Sequence, residues 1–230
     1  MGRLIDWPTG VGIVARAPLT GPRATGGGSE SLTGYVQTVS GAFGVWRWQF
    51  QFAPMRGEVF RRYAGTVAAL HGGANALRVP FFDPDGHYEL VREAWSDGSP
   101  WLEGGSWTGL CDWVAVGAAA AIGATQVQLA ATTWGQALGI GSKFGFLPHH
   151  FGLYMVTEVM APGVYRIWPP LRKAIVTTDY ATLWPVMAMK MQDEGAASAG
   201  RALEVSDGAA MTLIEVTDDV VKDYFADAAL

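Results

Sequence analysis

The stretch Gly44 to Phe52 (GVWRWQFQF) constrains the fold more than any other part of this chain. Aromatic residues occupy every second position from Trp46 to Phe52, and Arg47, Gln49 and Gln51 stand between them. Successive side chains of a β-strand point to opposite faces, so this alternation predicts a strand with one buried aromatic face and one polar face. We expect Arg47 and Gln49 to face a neighbouring subunit or solvent.

Around this strand, residues 1–112 are predicted to form a β-sandwich-like domain that carries one principal helix. Apolar residues recur at three- and four-residue steps over 57–71, which predicts an amphipathic helix, and Gly72 and Gly73 end it. Residues 87–112 are rich in Gly, Ser, Trp and acidic residues without a sustained period, so we interpret them as a long connector.

Three tryptophans recur at six-residue steps inside this connector, namely Trp95, Trp101 and Trp107. Aromatic side chains in an irregular segment either fill gaps between domains, anchor a protein interface or stack on sugars. The sequence leaves these three roles open.

A second β-rich block covers residues 113–194, and its closely spaced turns predict a smaller β-barrel or β-sandwich domain. Its predicted strands are Gln126–Ala130, Lys143–Phe146, Leu153–Val159, Val164–Ile167 and Leu183–Met191. Residues 195–230 are predicted to form a linker (195–200), a strand (209–216) and a short terminal helix (218–229). If that strand returns to the first sheet, the second block is an insertion. The predicted class is mainly β with one principal helix.

Charge and length narrow the classes of function. The 230 residues include 16 Lys and Arg against 21 Asp and Glu, a net charge of -5, which disfavours nucleic acid as the main partner. Charged residues make up 16% of the chain, below the usual share of about 25%, which favours a surface partly covered by neighbours. No apolar run reaches the ~18 residues of a spanning helix, so we expect no membrane insertion and a soluble product made in the cytoplasm.

No residue pattern points to catalysis. There is no G-x-S-x-G turn and no phosphate loop, and nothing around the single cysteine, Cys111, resembles an activated nucleophile. The turn Asp83–Gly86 lacks the later ligands of a calcium loop. The four histidines and the connector carboxylates have ordinary structural interpretations, although a glycosidase pair among those carboxylates stays an alternative. The histidines are His71, His87, His149 and His150, and the carboxylates are Glu89, Glu93, Asp97 and Glu103. We therefore predict no enzyme, no cofactor and no metal site.

Four segments have a familiar order and composition: WRWQFQFAP (46–54), GGANALRVPFFDPDG (72–86), GATQVQLA (123–130) and YRIWPPLRKAI (165–175). Over about residues 33–193 the chain resembles the distal tail proteins of long-tailed, siphovirus-like bacteriophages. The resemblance implies an N-terminal β-domain with a helix, a peripheral β-domain, and assembly into a ring, usually a hexamer. It implies as partners the tail tube protein and the baseplate hub protein, with DNA only in transit through a central channel. It carries over no catalytic residue.

The leading hypothesis is therefore a structural protein of the virion tail, with a candidate interface that includes Arg47, Gln49, Trp95, Trp101 and Trp107. One alternative is another tail component, either tube-terminating or hub-associated. A second is a monomeric carbohydrate-binding module in which the three connector tryptophans form the sugar platform.

Overall fold

The computed structural model describes residues 3–20, 29–30, 36–37, 44–81, 113–130, 138–147, 151–202 and 205–217. The predicted connector 87–112 and terminal helix 218–229 lie outside these residues. The chain is mainly β, and its described part has one α-helix, as the sequence predicted. Contacts between residues divide the chain into two units, residues 1–80 with 187–230 and residues 81–186.

The first unit is built on a sheet of eight strands with the helix α1 (Gly57–Ala69). Its strands are β1 (Leu4–Ile5), β2 (Ile13–Thr20), β5 (Arg47–Phe52), β6 (Met55–Arg56), β7 (Ala76–Pro80), β14 (Val186–Met191), β15 (Ala197–Ala202) and β16 (Val205–Glu215). Six of them follow the order β1-β7-β14-β16-β5-β2, while β15 and β6 also pair with β16. A separate two-stranded ribbon is formed by β3 (Ser29–Glu30) and β4 (Val36–Gln37).

Along the chain, helix α1 begins directly after strand β6 and ends two residues before the end that the sequence predicted. Tyr63 is its buried residue, and its other apolar side chains are half-buried or exposed. After Ala69 the chain tightens into a 3₁₀ turn at His71–Gly73, where Gly72 has φ 62°. The left-handed conformation begins one residue earlier, at His71 with φ 45°, so the helix ends before the glycine pair. Gly72 and Gly73 continue this conformation without the strain that a Cβ would cause.

The second unit contains six strands, β8 (Trp113–Ala118), β9 (Gln126–Leu129), β10 (Lys143–Leu147), β11 (Tyr154–Ala161), β12 (Val164–Trp168) and β13 (Tyr180–Thr182). They form a closed barrel in the order β10-β11-β12-β9-β8-β13. Every second side chain points inward, so the barrel encloses a core of its own that includes Phe144, Phe146, Tyr154 and Ile167.

The pairing of strands corrects the predicted bounds of two elements. The predicted strand Leu183–Met191 begins only at Val186, after Pro185, which has no N–H to donate, and it is β14 of the first sheet rather than part of the barrel domain. The predicted linker 195–200 is largely strand β15, which pairs with β16. Because β16 also pairs with β5, the chain returns to the first sheet, and residues 81–186 are an insertion between β7 and β14.

Candidate interaction surfaces

Strand β5 has the two faces that its alternation predicted. Trp46, just before the strand, and Trp48 are 3% and 4% exposed, and Phe50 and Phe52 are buried as well. The ring of Tyr63 on α1 lies 5.2 Å from that of Phe52, and the ring of Trp7 lies 5.9 Å from the same ring, so both pack on this face at Phe52. The aromatic positions therefore form the core of the first unit.

The other face of β5 belongs to a wider surface, which we call the polar face. Residues paired across neighbouring strands share a face of the sheet, and the register places Arg47 beside Ile214, and Ile214 beside Lys190. Gln49 and Gln51 pair in the same way with residues of β16 and β2. The side chains of this face are all half-buried or exposed. Its members are Ala15, Ala17, Arg47, Gln49, Gln51, Lys190, Ala210, Thr212 and Ile214.

The polar face carries positive charge without a matching carboxylate. Arg47 and Lys190 lie two strands apart, and neither forms an ion pair with a described residue. The Nε atom of Arg47 is buried and has no hydrogen-bond partner among the described residues. A buried donor without an acceptor is costly, so this face favours an acidic or amide-bearing partner.

Strand β2 is an end strand of the sheet and exposes apolar side chains along its length. Its pairing with β5 is interrupted between Ile13 and Ala15 and again between Pro18 and Thr20. The intervening residues, Val14 and Leu19, are 69% and 45% exposed. Bulges redirect side chains, which explains how two large apolar residues of one strand reach the surface. They form a second candidate surface.

The outside of the barrel holds a third apolar group. The register aligns Leu147 of β10 with Tyr180 of β13, and Tyr180 with Ala115 of β8. Leu147 and Tyr180 are 45% and 39% exposed, and Val176 in the preceding turn is also exposed. Side chains at alternate positions of these strands fill the barrel, so this outer group contributes little to its core.

Metal-ligand side chains do not cluster among the described residues. No three His, Cys, Asp or Glu side chains lie together there in a way that would hold a metal ion. Glu215 is buried and its Oε2 accepts a hydrogen bond from the backbone N–H of Trp46 at 3.0 Å, which is a structural role within the sheet. His71 is exposed in the turn after the helix. No helix of the described residues has the length and apolar character needed to cross a bilayer.

The other predicted chemical groups lie outside the described residues. They are Trp95, Trp101, Trp107, Cys111, three of the histidines, the turn 83–86 and the four connector carboxylates. Of the five candidate interface residues, the structure therefore places Arg47 and Gln49, and it places both on the polar face. Sequence reasoning missed Lys190, which joins that face only through β16, and missed Val14 and Leu19 because bulges disturb the alternation of β2.

Comparison with known proteins adds no relative: no protein-family model matches the chain, and no curated protein matches it.

Proposed function

We propose that this chain is a structural protein of a bacteriophage tail, a distal ring subunit between the tail tube and the baseplate hub that leaves a central channel for DNA. The observation that carries the proposal is the two-unit plan: a β-sheet with helix α1, interrupted between β7 and β14 by a closed β-barrel. The resemblance to distal tail proteins implies a β-domain with a helix and a peripheral β-domain, and the two-unit plan supports that expectation. The protein would act in the virion tail and would not be an enzyme.

Surface chemistry supports assembly. An end strand that exposes large apolar side chains is a liability in a monomer and a contact in an oligomer. Pro18 lacks an N–H and the two bulges interrupt the strand, so β2 is poorly suited to simple strand addition. A contact between copies would therefore depend on the Val14 and Leu19 side chains. In a ring each copy offers one surface to the next copy and receives a different one.

Two alternatives remain as proposals of lower rank. Another tail component would also be a structural virion protein, but it would differ from a distal ring in its symmetry and in the proteins that it contacts. A carbohydrate-binding module would depend on Trp95, Trp101 and Trp107, and no described residue favours it.

The mass of the purified chain in solution tests the proposal. We expect light scattering after size exclusion to report a hexamer-sized particle, and negative-stain images of the same peak to show rings with an open centre. A monomer of 24.6 kDa at every concentration would argue against a self-assembling ring. A glycan screen with Trp101→Ala as its control would then test the carbohydrate-binding alternative.

A matched pair of variants tests the contact surface within the ring. Val14→Asp combined with Leu19→Asp is expected to convert the ring into monomers, because it places charge in an apolar contact. Ile122→Asp alters a residue of the second unit that is 57% exposed, and we expect it to leave the ring intact. A ring that persists in the β2 variant would show that this strand is not the contact between copies.

A further inference from the structure

Strand β15 (Ala197–Ala202) forms an edge of the first sheet that lacks the protection of the other edges. Among the described residues it pairs with β16 alone, so no strand lies along its other side. The other edge strands are protected, because β1 and β6 are only two residues long and β2 contains Pro18 and two interruptions of its pairing. Residues 197–200 of β15 are Ala, Ser, Ala and Gly, without charge or proline. An edge of this kind is a template for pairing with another strand.

The hydrogen bonds to β16 show which backbone groups of β15 point outward. The N–H of Thr212 donates to the carbonyl of Ala196 at 2.8 Å, and the next pair in the register is Ala197 with Met211. Successive residues of an antiparallel strand direct their N–H and C=O groups to opposite sides, so those of Ala197 and Ala199 point away from β16. Within the described part of the chain these groups have no hydrogen-bond partner. Ala199 is exposed and Ala197 is half-buried, so a second strand can reach both.

The same strand of a second copy of this chain fits these groups. If two β15 strands run antiparallel about a two-fold axis at Ser198, Ala197 of each copy lies opposite Ala199 of the other copy. Each of these two pairs exchanges two hydrogen bonds, so the four outward N–H groups find four carbonyl acceptors. Alanine at both positions allows the strands to approach to the usual spacing of about 4.8 Å. The strand is therefore complementary to itself, which is the requirement of a two-fold contact.

The charges beside β15 favour the antiparallel orientation. Asp193 and Glu194 lie in the turn before the strand, are exposed, and form no ion pair with a described residue. Arg201 stands near the opposite end of the strand. The two-fold axis places Arg201 of each copy opposite Gly195 of the other, next to these carboxylates in the sequence. A parallel pairing would instead place like charges side by side.

We propose that β15 is a two-fold contact surface, at which a second copy of this chain adds its own β15 antiparallel and extends the first sheet across both molecules. The strand has six residues, so the contact buries less than the ~1,200 Å² of a stable interface and forms transiently, with a Kd on the order of 0.1 mM. The contact uses the same strand of both copies and therefore closes with two of them. Strands β16 and β5 separate β15 from β2, so the inference does not depend on the proposed ring.

Disulfide cross-linking of the full-length chain tests the contact. Ser198→Cys in a Cys111→Ser background places the single thiol on the two-fold axis. Residues paired there exchange no backbone hydrogen bond and have Cα atoms about 4.5 Å apart, which a disulfide can bridge. The substitutions Val14→Asp and Leu19→Asp are included to remove the proposed ring contact. At about 0.1 mM protein with copper phenanthroline, we expect covalent dimers to form about tenfold faster than with a cysteine at Gln128, an exposed residue of the barrel strand β9.

A matched pair of proline substitutions separates pairing between copies from folding. Ala199→Pro removes an N–H that points away from β16, so it should abolish the cross-linking at position 198 and leave urea unfolding close to that of the parent chain. Ser198→Pro removes an N–H that faces β16 and should lower the stability of the chain instead.

Charge reversal provides a test without proline. Arg201→Glu should slow the cross-linking at position 198 about tenfold, because it places like charges together twice in the two-fold contact. Adding Asp193→Lys and Glu194→Lys should restore most of the rate.

Two results would overturn the proposal. The first is cross-linking at position 198 that is no faster than at position 128. The second is an Ala199→Pro chain that cross-links as fast as its parent. Light scattering of the chain with an unaltered β2 reports the ring separately, so failure of the β15 contact and failure of the proposed function are distinguishable.

Discussion

At the scale of single residues, the hydroxyl of Tyr63 is the group whose environment changes its chemistry most clearly. The side chain is 3% exposed, and its oxygen is buried with no hydrogen-bond partner among the described residues. Burial penalises the charged phenolate and raises the pKa of Tyr63 from 10.0 to about 12. Below pH 10 the residue is neutral in the folded and unfolded chain alike, so it adds no pH dependence there.

Tyr63 therefore predicts a loss of stability at alkaline pH. Between pH 10 and about 12 the unfolded chain releases this proton and the folded chain retains it, which favours unfolding by up to roughly 3 kcal/mol. Tyr63→Phe should remove this contribution. We expect urea unfolding to show a smaller decline above pH 10 in the variant than in the parent chain, with equal or greater stability at pH 7. If the free energy of unfolding declined equally above pH 10 in the two proteins, Tyr63 would not be the cause of the decline.

A substitution of Trp48 tests the burial of the aromatic face of β5. Because its ring is 4% exposed and lies 5.7 Å from that of Trp46, Trp48→Ala should lower the free energy of unfolding by about 3–5 kcal/mol. Gln49→Ala changes the next residue on the polar face and should alter it by no more than about 0.5 kcal/mol. Urea unfolding of both variants measures the difference. A Trp48→Ala protein as stable as its parent would refute the orientation of β5.

At the scale of secondary-structure elements, the end of α1 depends on close approach to strand β14. Gly73 has φ 101°, and a Cβ built there would lie 2.5 Å from the carbonyl oxygen of Met191. No side chain fits at this distance without movement of the backbone. Gly65, inside the helix, has nothing within 4 Å of the same position.

These two glycines predict opposite effects of one substitution. Gly73→Ala should destabilise the protein by about 1–3 kcal/mol, since it adds both backbone strain and a steric clash. Gly65→Ala should stabilise it by about 0.5–1 kcal/mol, because glycine is the poorer residue inside a helix. Thermal unfolding of the two variants measures both signs. Equal effects at the two positions would mean that the helix does not end against β14.

The local residue pattern predicted those elements whose secondary structure depends mainly on their own side chains. The alternation from Trp46 to Phe52 predicted β5, and the three- and four-residue steps over 57–71 predicted α1. The alanine- and glycine-rich β15 was predicted as a linker because it has little β-propensity of its own and is a strand through its pairing with β16. The polar face was predicted only at Arg47 and Gln49, since Lys190 reaches it through a strand that local sequence assigned to the other domain.

At the scale of the whole molecule, the two units differ in how they are built from the chain. The first unit requires both ends of the sequence, because β5 and β16 pair across the insertion. The second unit is continuous, and its six strands close on one another. Its ends are also adjacent, since the N–H of Phe81 donates a hydrogen bond to the carbonyl of Pro185 at 2.9 Å.

This difference predicts that residues 81–186 fold when produced alone. A closed barrel leaves no strand edge unpaired, and its core of buried apolar side chains is drawn from within the unit. We expect the fragment to unfold cooperatively in urea and to show near-ultraviolet circular dichroism from ordered aromatic side chains. Phe146→Ala, at a fully buried position, should destabilise the fragment by about 3–5 kcal/mol. Leu147→Ala, at the next and 45% exposed position, should have a much smaller effect. A fragment that lacks a cooperative transition, or that responds equally to the two substitutions, would mean that the barrel needs the first unit in order to fold.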